Sequence, residues 1–399
     1  MLNIFFLGLI SFFTDLSTEM VYPLIPLYLV GTFGATHVLV GIIEGIAESL
    51  ASLLKVYSGY LTDRFQKKKL IAFSGYAAGL VYKIALLFAG SWIGILGARV
   101  IDRLGKGIRT APRDVLVSES ADKNSMGKAF GLHKALDMFG AAFGILIIFL
   151  IMKSSDGNYD YKHLFALSII PAVLGLIMFI FVKEKKRNND PESGGQKTKN
   201  NGLSLRENIK KIDGQLKLYL LVVFIFTLGN SSKAFMILKA SDAGFNEINV
   251  ILLFLVYHAV AGILSVPLGK LSDKIGRKNL LVPGYITFSI CYFIFAFAGT
   301  AVSMITAFAL YGIFTAMITG VERAFVAEIS PVELKGTMLG LHSTVAGIAL
   351  LPASIIAGLL WNLSGAASPF LFGASLSLLA AVLLLVFMKG REKNIPQRP

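Results

Sequence analysis

Asp15 and Glu19 stand four residues apart in a stretch of sequence that is otherwise apolar, so on a helix they share one face. Two carboxyls this close, away from water, resist ionising together, so the pair is expected to hold one proton and to act as a proton-coupling device. The competing reading is a helix break ahead of Pro23 and Pro26 capped by Asp15, or a permanent salt bridge to either carboxylate. Further along, Arg99, Arg103 and Lys106 form an i, i+4, i+7 stripe with Asp102 among them. Arg99 to Arg103 fall about 10 to 17 Å from the outer end of their segment near Trp92, close to a bilayer midplane. Charges at that depth are costly and mark a cavity or a partner. The simplest pairing sets Asp15 and Glu19 against Arg99 or Arg103, a pair that could exchange for a proton or a substrate. A static ion pair involving Asp102 is the alternative.

Other ionisable residues extend this set. Glu44 and Glu48 are one turn apart with Lys55 seven beyond Glu48, a second network read mainly as structural pairing, to which Lys83 could belong. His133 and Asp137 are also one turn apart. Asn230, Ser231, Ser232 and Lys233 form a polar stretch expected to face substrate from the second half of the chain, although Lys233 could snorkel outward.

The elements that must position these residues follow from composition. The chain has 399 residues, 55% hydrophobic and 16% charged, with a mean hydropathy of +0.69. Such a chain is too apolar for a soluble enzyme. About twenty apolar residues cross a bilayer, and twelve such segments can be read between residues 3 and 388. The expected fold is therefore all-α and integral to the membrane, with residues 1–183 forming one six-helix bundle, 184–215 a polar linker and 216–399 a second bundle. Lys and Arg crowd alternate connections, which makes the net charge of +14 a topological signal, places both termini in the cytoplasm of a plasma (inner) membrane protein and argues against nucleic acid as partner. The single cysteine, Cys291, excludes disulfides and cysteine-ligated metal, no metal site or cofactor is expected, and no hydrolytic or phosphate-binding motif stands out.

The two halves repeat. The segment from Gly59 through Asp63 to Arg64 answers that from Gly269 through Asp273 to Lys274 at an offset of 210, as Arg113 answers Arg323, while His133 answers His342 at 209. The string Gly269-Lys-Leu-Ser-Asp273-Lys-Ile-Gly276-Arg277-Lys278 resembles the signature of the major facilitator superfamily, with Lys274 in place of arginine. The first copy keeps Gly59, Leu61, Asp63, Arg64 and Lys68 but has Gln66 for the second glycine. The resemblance implies two pseudo-symmetric six-helix bundles rocking around a midplane site, with Asp63, Arg64, Arg113, Asp273, Arg277 and Arg323 at a cytoplasmic gate. Arg99 and the run from Asp137 to Gly144 are similar to antiporter motifs, though Asp102 and Arg103 depart from the pattern and the proline is missing.

The expected function is a monomeric, non-enzymatic secondary transporter, proton-coupled, moving a small amphiphilic or anionic organic molecule across the lipid bilayer, with export favoured. The alternatives are an uptake symporter in which Arg99, Arg103 and Lys233 clamp an organic anion, and a lipid or lysolipid flippase. Lopsided charges would place coupling in the first half and an apolar wall of Phe308, Tyr311 and Phe314 in the second.

Overall fold

The computed structural model describes residues 2–65, 67–120, 126–155, 158–184, 214–330 and 335–388, without the side chains of 56, 59–65, 126–131 and 335–337. Among these residues the chain is helical with no strand, and its helices form twelve spans. Eleven of them are long and apolar enough to cross a membrane. The remaining one, Trp92–Ser120, is 29 residues long but carries Arg99, Asp102, Arg103, Lys106 and Arg109 along its length. Bilayer thickness explains the common length, and only burial against neighbouring spans makes this charged helix tolerable.

Besides the sixth span, which is interrupted at Ser168 ahead of Pro171, three spans are broken where the sequence cannot sustain i to i−4 bonding. The first changes direction between Leu2–Val21 and Leu24–Phe33 at Pro23, and the seventh between Gly214–Gly229 and Ala234–Asp242 at residues 230–233. The tenth breaks between Ala301–Ile318 and Val321–Ile329 at Gly320, whose φ of 89° only glycine adopts without strain. The fourth span differs from expectation in the other direction. It continues through Pro112 to Ser120, about two and a half turns beyond the position where the apolar segment ends near residue 111. Proline there leaves the Ile108 carbonyl without its helical donor, and the Ser58 hydroxyl donates to that oxygen at 2.7 Å. Most of the expected linker, and the short amphipathic helix toward Ile212, lie outside the described residues.

Duplication shows in contacts as well as in sequence. Lys68 pairs with Glu119 between the third and fourth spans, and Arg277 pairs with Glu328 at 2.7 Å between the ninth and tenth, each residue of the second pair lying 209 positions after its counterpart. The two bundles meet along the second span (His37–Phe65) and the eleventh (Lys335–Ser364), the most extensive packing in the molecule. Glycines permit it: a Cβ on Gly41 would lie 2.2 Å from the Ser354 carbonyl oxygen, and one on Gly358 would lie 2.6 Å from that of His37. Backbone cannot yield as a flexible side chain can. Gly41→Leu should therefore lower stability by about 1 to 3 kcal/mol, read as a reduced unfolding temperature in detergent; an unchanged temperature would show that the two spans need not touch here.

The bundles also close over the end of the molecule away from the termini. There Leu24 to Leu29 and Ala234 to Ala240 are almost wholly buried, His37 stacks on Trp361, and Tyr159 and Tyr161 both donate to Glu247 across the divide.

Candidate substrate cavity and buried charge network

The fourth span lies against the second, and Gly107 makes the approach possible because any Cβ there would meet Leu54 at 2.5 Å. This contact stacks two ion pairs one helical turn apart. Arg99 Nη2 donates to both carboxylate oxygens of Glu44 at 2.7 and 2.6 Å, and Arg103 Nη2 lies 2.8 Å from Glu48 Oε1. Asp102 sits between the guanidinium groups, 3.7 Å from Arg99 Nη1 and 3.6 Å from Arg103 Nε. Arg99, Glu44, Asp102 and Arg103 are all at least 97% buried. The Tyr22 ring lies 5.2 Å from the Arg99 guanidinium and 6.0 Å from that of Arg103. One hydrogen bond ties the ladder to the other bundle, from Ser232 Oγ to Glu44 Oε2 at 3.3 Å.

This corrects the pairing expected from sequence. The partners of Arg99 and Arg103 come from the second span, and Asp15 and Glu19 are elsewhere. Glu44 and Glu48, read as a secondary network, are the direct counter-ions of the two arginines. Lys55 makes no salt bridge among the described residues, since Arg103 holds Glu48. Lys83 is buried and donates to the Thr18 hydroxyl at 3.2 Å.

Asp15 and Glu19 instead line a cavity of about 450 Å³ between the two bundles, with Asp137, Asn230, Lys233 and Glu322 among the other wall residues. Glycines again set the geometry. Gly140 and Gly144 on the fifth span sit so close to the backbone at Phe12 and Leu16 that a Cβ would lie 2.2 and 2.3 Å from those carbonyl oxygens. The first and fifth spans thus run in backbone contact, which sets the Asp15 and Asp137 carboxyls in the same cavity wall. Lys134 Nζ pairs with the same Asp137 at 2.6 Å and is itself more than half exposed at the terminal end of the cavity. Glu19 turns the other way and lies 3.7 Å from His258 Nε2 on the eighth span. The two acids expected to share a proton with each other therefore diverge, each toward a titratable partner on another span.

From the second bundle, the break at residues 230–233 presents Asn230 and Lys233 to the cavity. Lys233 Nζ is 3.3 Å from the Tyr257 hydroxyl and 5.8 Å from the centre of the Tyr22 ring. It points inward and does not snorkel outward. Tyr311 and Phe314 line the cavity as expected, whereas Phe308 is fully buried against Phe295 and does not. The wall is less apolar than expected because Glu322 joins it, accepting from the Tyr285 hydroxyl at 3.0 Å and lying 3.9 Å from His342 Nε2. The 210 offset sets Arg323, the residue beside Glu322, opposite Arg113. At the 209 offset of the duplicated ion pairs, Glu322 is the residue answering Arg113, while Arg323 is exposed.

The expected gate residues fall at the terminal end of the spans. Arg277 bonds Glu328 and the Ala324 carbonyl and lies 3.7 Å from Asp273, so it ties the ninth span to the tenth within one bundle. Gly269 has open space around it, and Arg113 pairs with its neighbour Asp114 at 2.8 Å. Gly59, Asp63 and Arg64 fall in the second span, and their side chains lie outside the described residues. His133 bonds the Ser11 hydroxyl at 2.9 Å, a packing contact between the fifth and first spans.

Comparison with known proteins agrees with this architecture. The sequence matches the family model described as the Major Facilitator Superfamily over residues 7–246 and 218–399. It is 37% identical over 389 residues to an uncharacterised MFS-type transporter of Methanocaldococcus jannaschii, covering 96% of this chain and 94% of that protein. It is 25% identical over 287 residues to a multidrug resistance protein of Escherichia coli, covering 69% and 67% of the two chains. Among solved structures, a nucleoside transporter superposes with a TM-score of 0.77 over 96% of this chain and 98% of its own, at 11% identity.

Proposed function

We propose, from the premise that this chain belongs to the major facilitator superfamily of transporters, that it is a proton-coupled secondary transporter moving a small amphiphilic organic molecule outward by alternating access. The observation that carries the coupling is that Asp15 and Asp137 share one cavity wall on spans held in backbone contact. Two carboxyls in one wall away from water resist ionising together, so this pair is suited to gain and lose a proton as the cavity changes exposure. Glu19 and His258, joined across the two bundles, add a second titratable contact that must break or re-form when the bundles rock.

Topology gives the direction of opening. With the termini in the cytoplasm, the closed end is external and the cavity faces inward, the state in which an exporter loads its cargo. The multidrug resistance protein among the relatives favours export. The uptake reading, with Arg99, Arg103 and Lys233 clamping an organic anion, loses support because the two arginines are held by Glu44 and Glu48 and do not line the cavity.

The test is flux into proteoliposomes under an imposed pH gradient, across a panel of fluorescent amphiphiles, organic acids and lysolipids. Gradient-driven accumulation of a cargo is expected from the wild type, with Asp15→Asn reducing it at least about tenfold while leaving downhill exchange measurable. Flux indifferent to the gradient, with Asp15→Asn fully active, would remove the proton from the mechanism.

A further inference from the structure

We infer that the cavity is a site for an organic cation, with Glu322 holding the positive charge and the aromatic wall of the second bundle holding the apolar body. The inference rests on the transport reading above and names the chemical class of its substrate. Four carboxyl side chains line the cavity, those of Asp15, Glu19, Asp137 and Glu322, against two ammonium groups. Both ammonium groups are already engaged. Lys134 is bound to Asp137, and Lys233 is held by the Tyr257 hydroxyl between the rings of Tyr22 and Tyr257.

Among the described residues no lysine or arginine forms a salt bridge with Glu322, nor with Asp15 or Glu19, and of these three only Glu322 belongs to the second bundle, which carries the aromatic wall. One oxygen takes the Tyr285 hydroxyl, and the other faces His342 Nε2 at 3.9 Å, too long for a hydrogen bond. That histidine is 93% buried, and its Nε2 has no hydrogen-bond partner. Glu19 Oε2, in the same cavity, is also buried without one. Buried polar atoms without a hydrogen bond call for an explanation, and a charged ligand group beside them supplies one. Beside Glu322, Phe226, Phe314, Tyr311 and Tyr257 form a continuous ring chain with centroids 5.2 to 5.8 Å apart, and all four line the cavity. Aromatic faces next to an uncompensated carboxylate attract a desolvated cation and repel an anion of the same shape. The volume of about 450 Å³ suits a drug-sized molecule.

Tetraphenylphosphonium and tetraphenylborate share a shape and carry opposite charges, which makes them the decisive probes. Equilibrium binding of each to the full-length protein in lipid nanodiscs, corrected for empty discs, should show saturable uptake of the phosphonium and at least about tenfold weaker uptake of the borate. Glu322→Gln should weaken phosphonium binding by at least about tenfold, and Glu322→Asp should restore most of it, with unfolding temperatures confirming that both variants are folded. Equal binding of the two ions, no saturable binding of either, or an undiminished Glu322→Gln protein would overturn the assignment. Flux with a preference for anions would overturn this site while leaving transport intact, whereas phosphonium binding without any flux would do the reverse.

Discussion

Arg99→Ala should cost the protein about 3 to 5 kcal/mol of stability, the usual penalty for stranding one member of a buried ion pair. Both oxygens of Glu44 accept from Arg99, and the two side chains are 99% or more buried, so the abandoned carboxylate would have neither water nor a cation in contact. Ser232 alone would remain on it, at 3.3 Å. Glu44→Gln removes the opposite partner and should be similarly damaging, because Arg99 already has Nε and Nη1 without hydrogen bonds. Replacing both, as Glu44→Leu with Arg99→Met, should recover most of the loss, since well-packed apolar residues often substitute for a buried pair at little cost. Denaturation in micelles across this double-mutant cycle measures the coupling. A double variant as unstable as either single one would mean that Arg99 is held mainly by Asp102 and the ring of Tyr22. Flux in the double variant separates scaffold from mechanism: a locking pair leaves gradient-driven transport in place, and a switching pair abolishes it.

How much of this was visible in the amino-acid order depends on the kind of information each feature needs. Eleven of the spans follow from apolar length alone, whereas the fourth, read as one more apolar segment, carries charges along its length that only its neighbours make tolerable. Residue spacing tells which side chains share a face of one helix, and it did place Asp15 with Glu19, Glu44 with Glu48 and Arg99 with Arg103. It cannot tell how far each helix is rotated about its axis against its neighbours, and that rotation decides the partners. Here it is set by glycines. Gly107 turns the fourth span toward the second, so the arginines meet Glu44 and Glu48; Gly140 and Gly144 seat the first span on the fifth, so Asp15 shares a cavity wall with Asp137. The glycine run in the fifth span was read for its likeness to a motif, when its physical content was a backbone contact. Glu322 is hidden in the sequence because a repeat aligned one residue out of register conceals the residue beside the matched one, and the duplicated Lys68 to Glu119 and Arg277 to Glu328 pairs supply the 209 register only through contacts.

Glu247→Gln should open the end of the molecule away from the termini. Two phenols from the first bundle, Tyr159 and Tyr161, each donate to one oxygen of this carboxylate on the second bundle, the latter at 2.5 Å. Burial and the adjacent Glu247 push the Tyr159 phenol above the usual tyrosine range, so it stays in its donating form. Hydrogen bonds to a charged acceptor contribute about 1.5 to 3 kcal/mol each. A carboxamide keeps the shape but loses the charge and offers one accepting oxygen in place of two, so one phenol loses its acceptor and the closed arrangement should become roughly 10 to 100 times less favoured relative to the open one. Tyr159→Phe with Tyr161→Phe removes the donors and should act in the same direction, which separates the clasp from any other role of Glu247. The chain has one cysteine, Cys291, and it is fully buried, so a reporter thiol placed at Ala240, which is wholly buried in the closed arrangement, reads opening at that end in a Cys291→Ser background without interference. Faster labelling at Ala240 in both variants is the expected result. Unchanged labelling would assign closure to the buried segments 24–29 and 234–240 alone, with the clasp following their motion and not setting it.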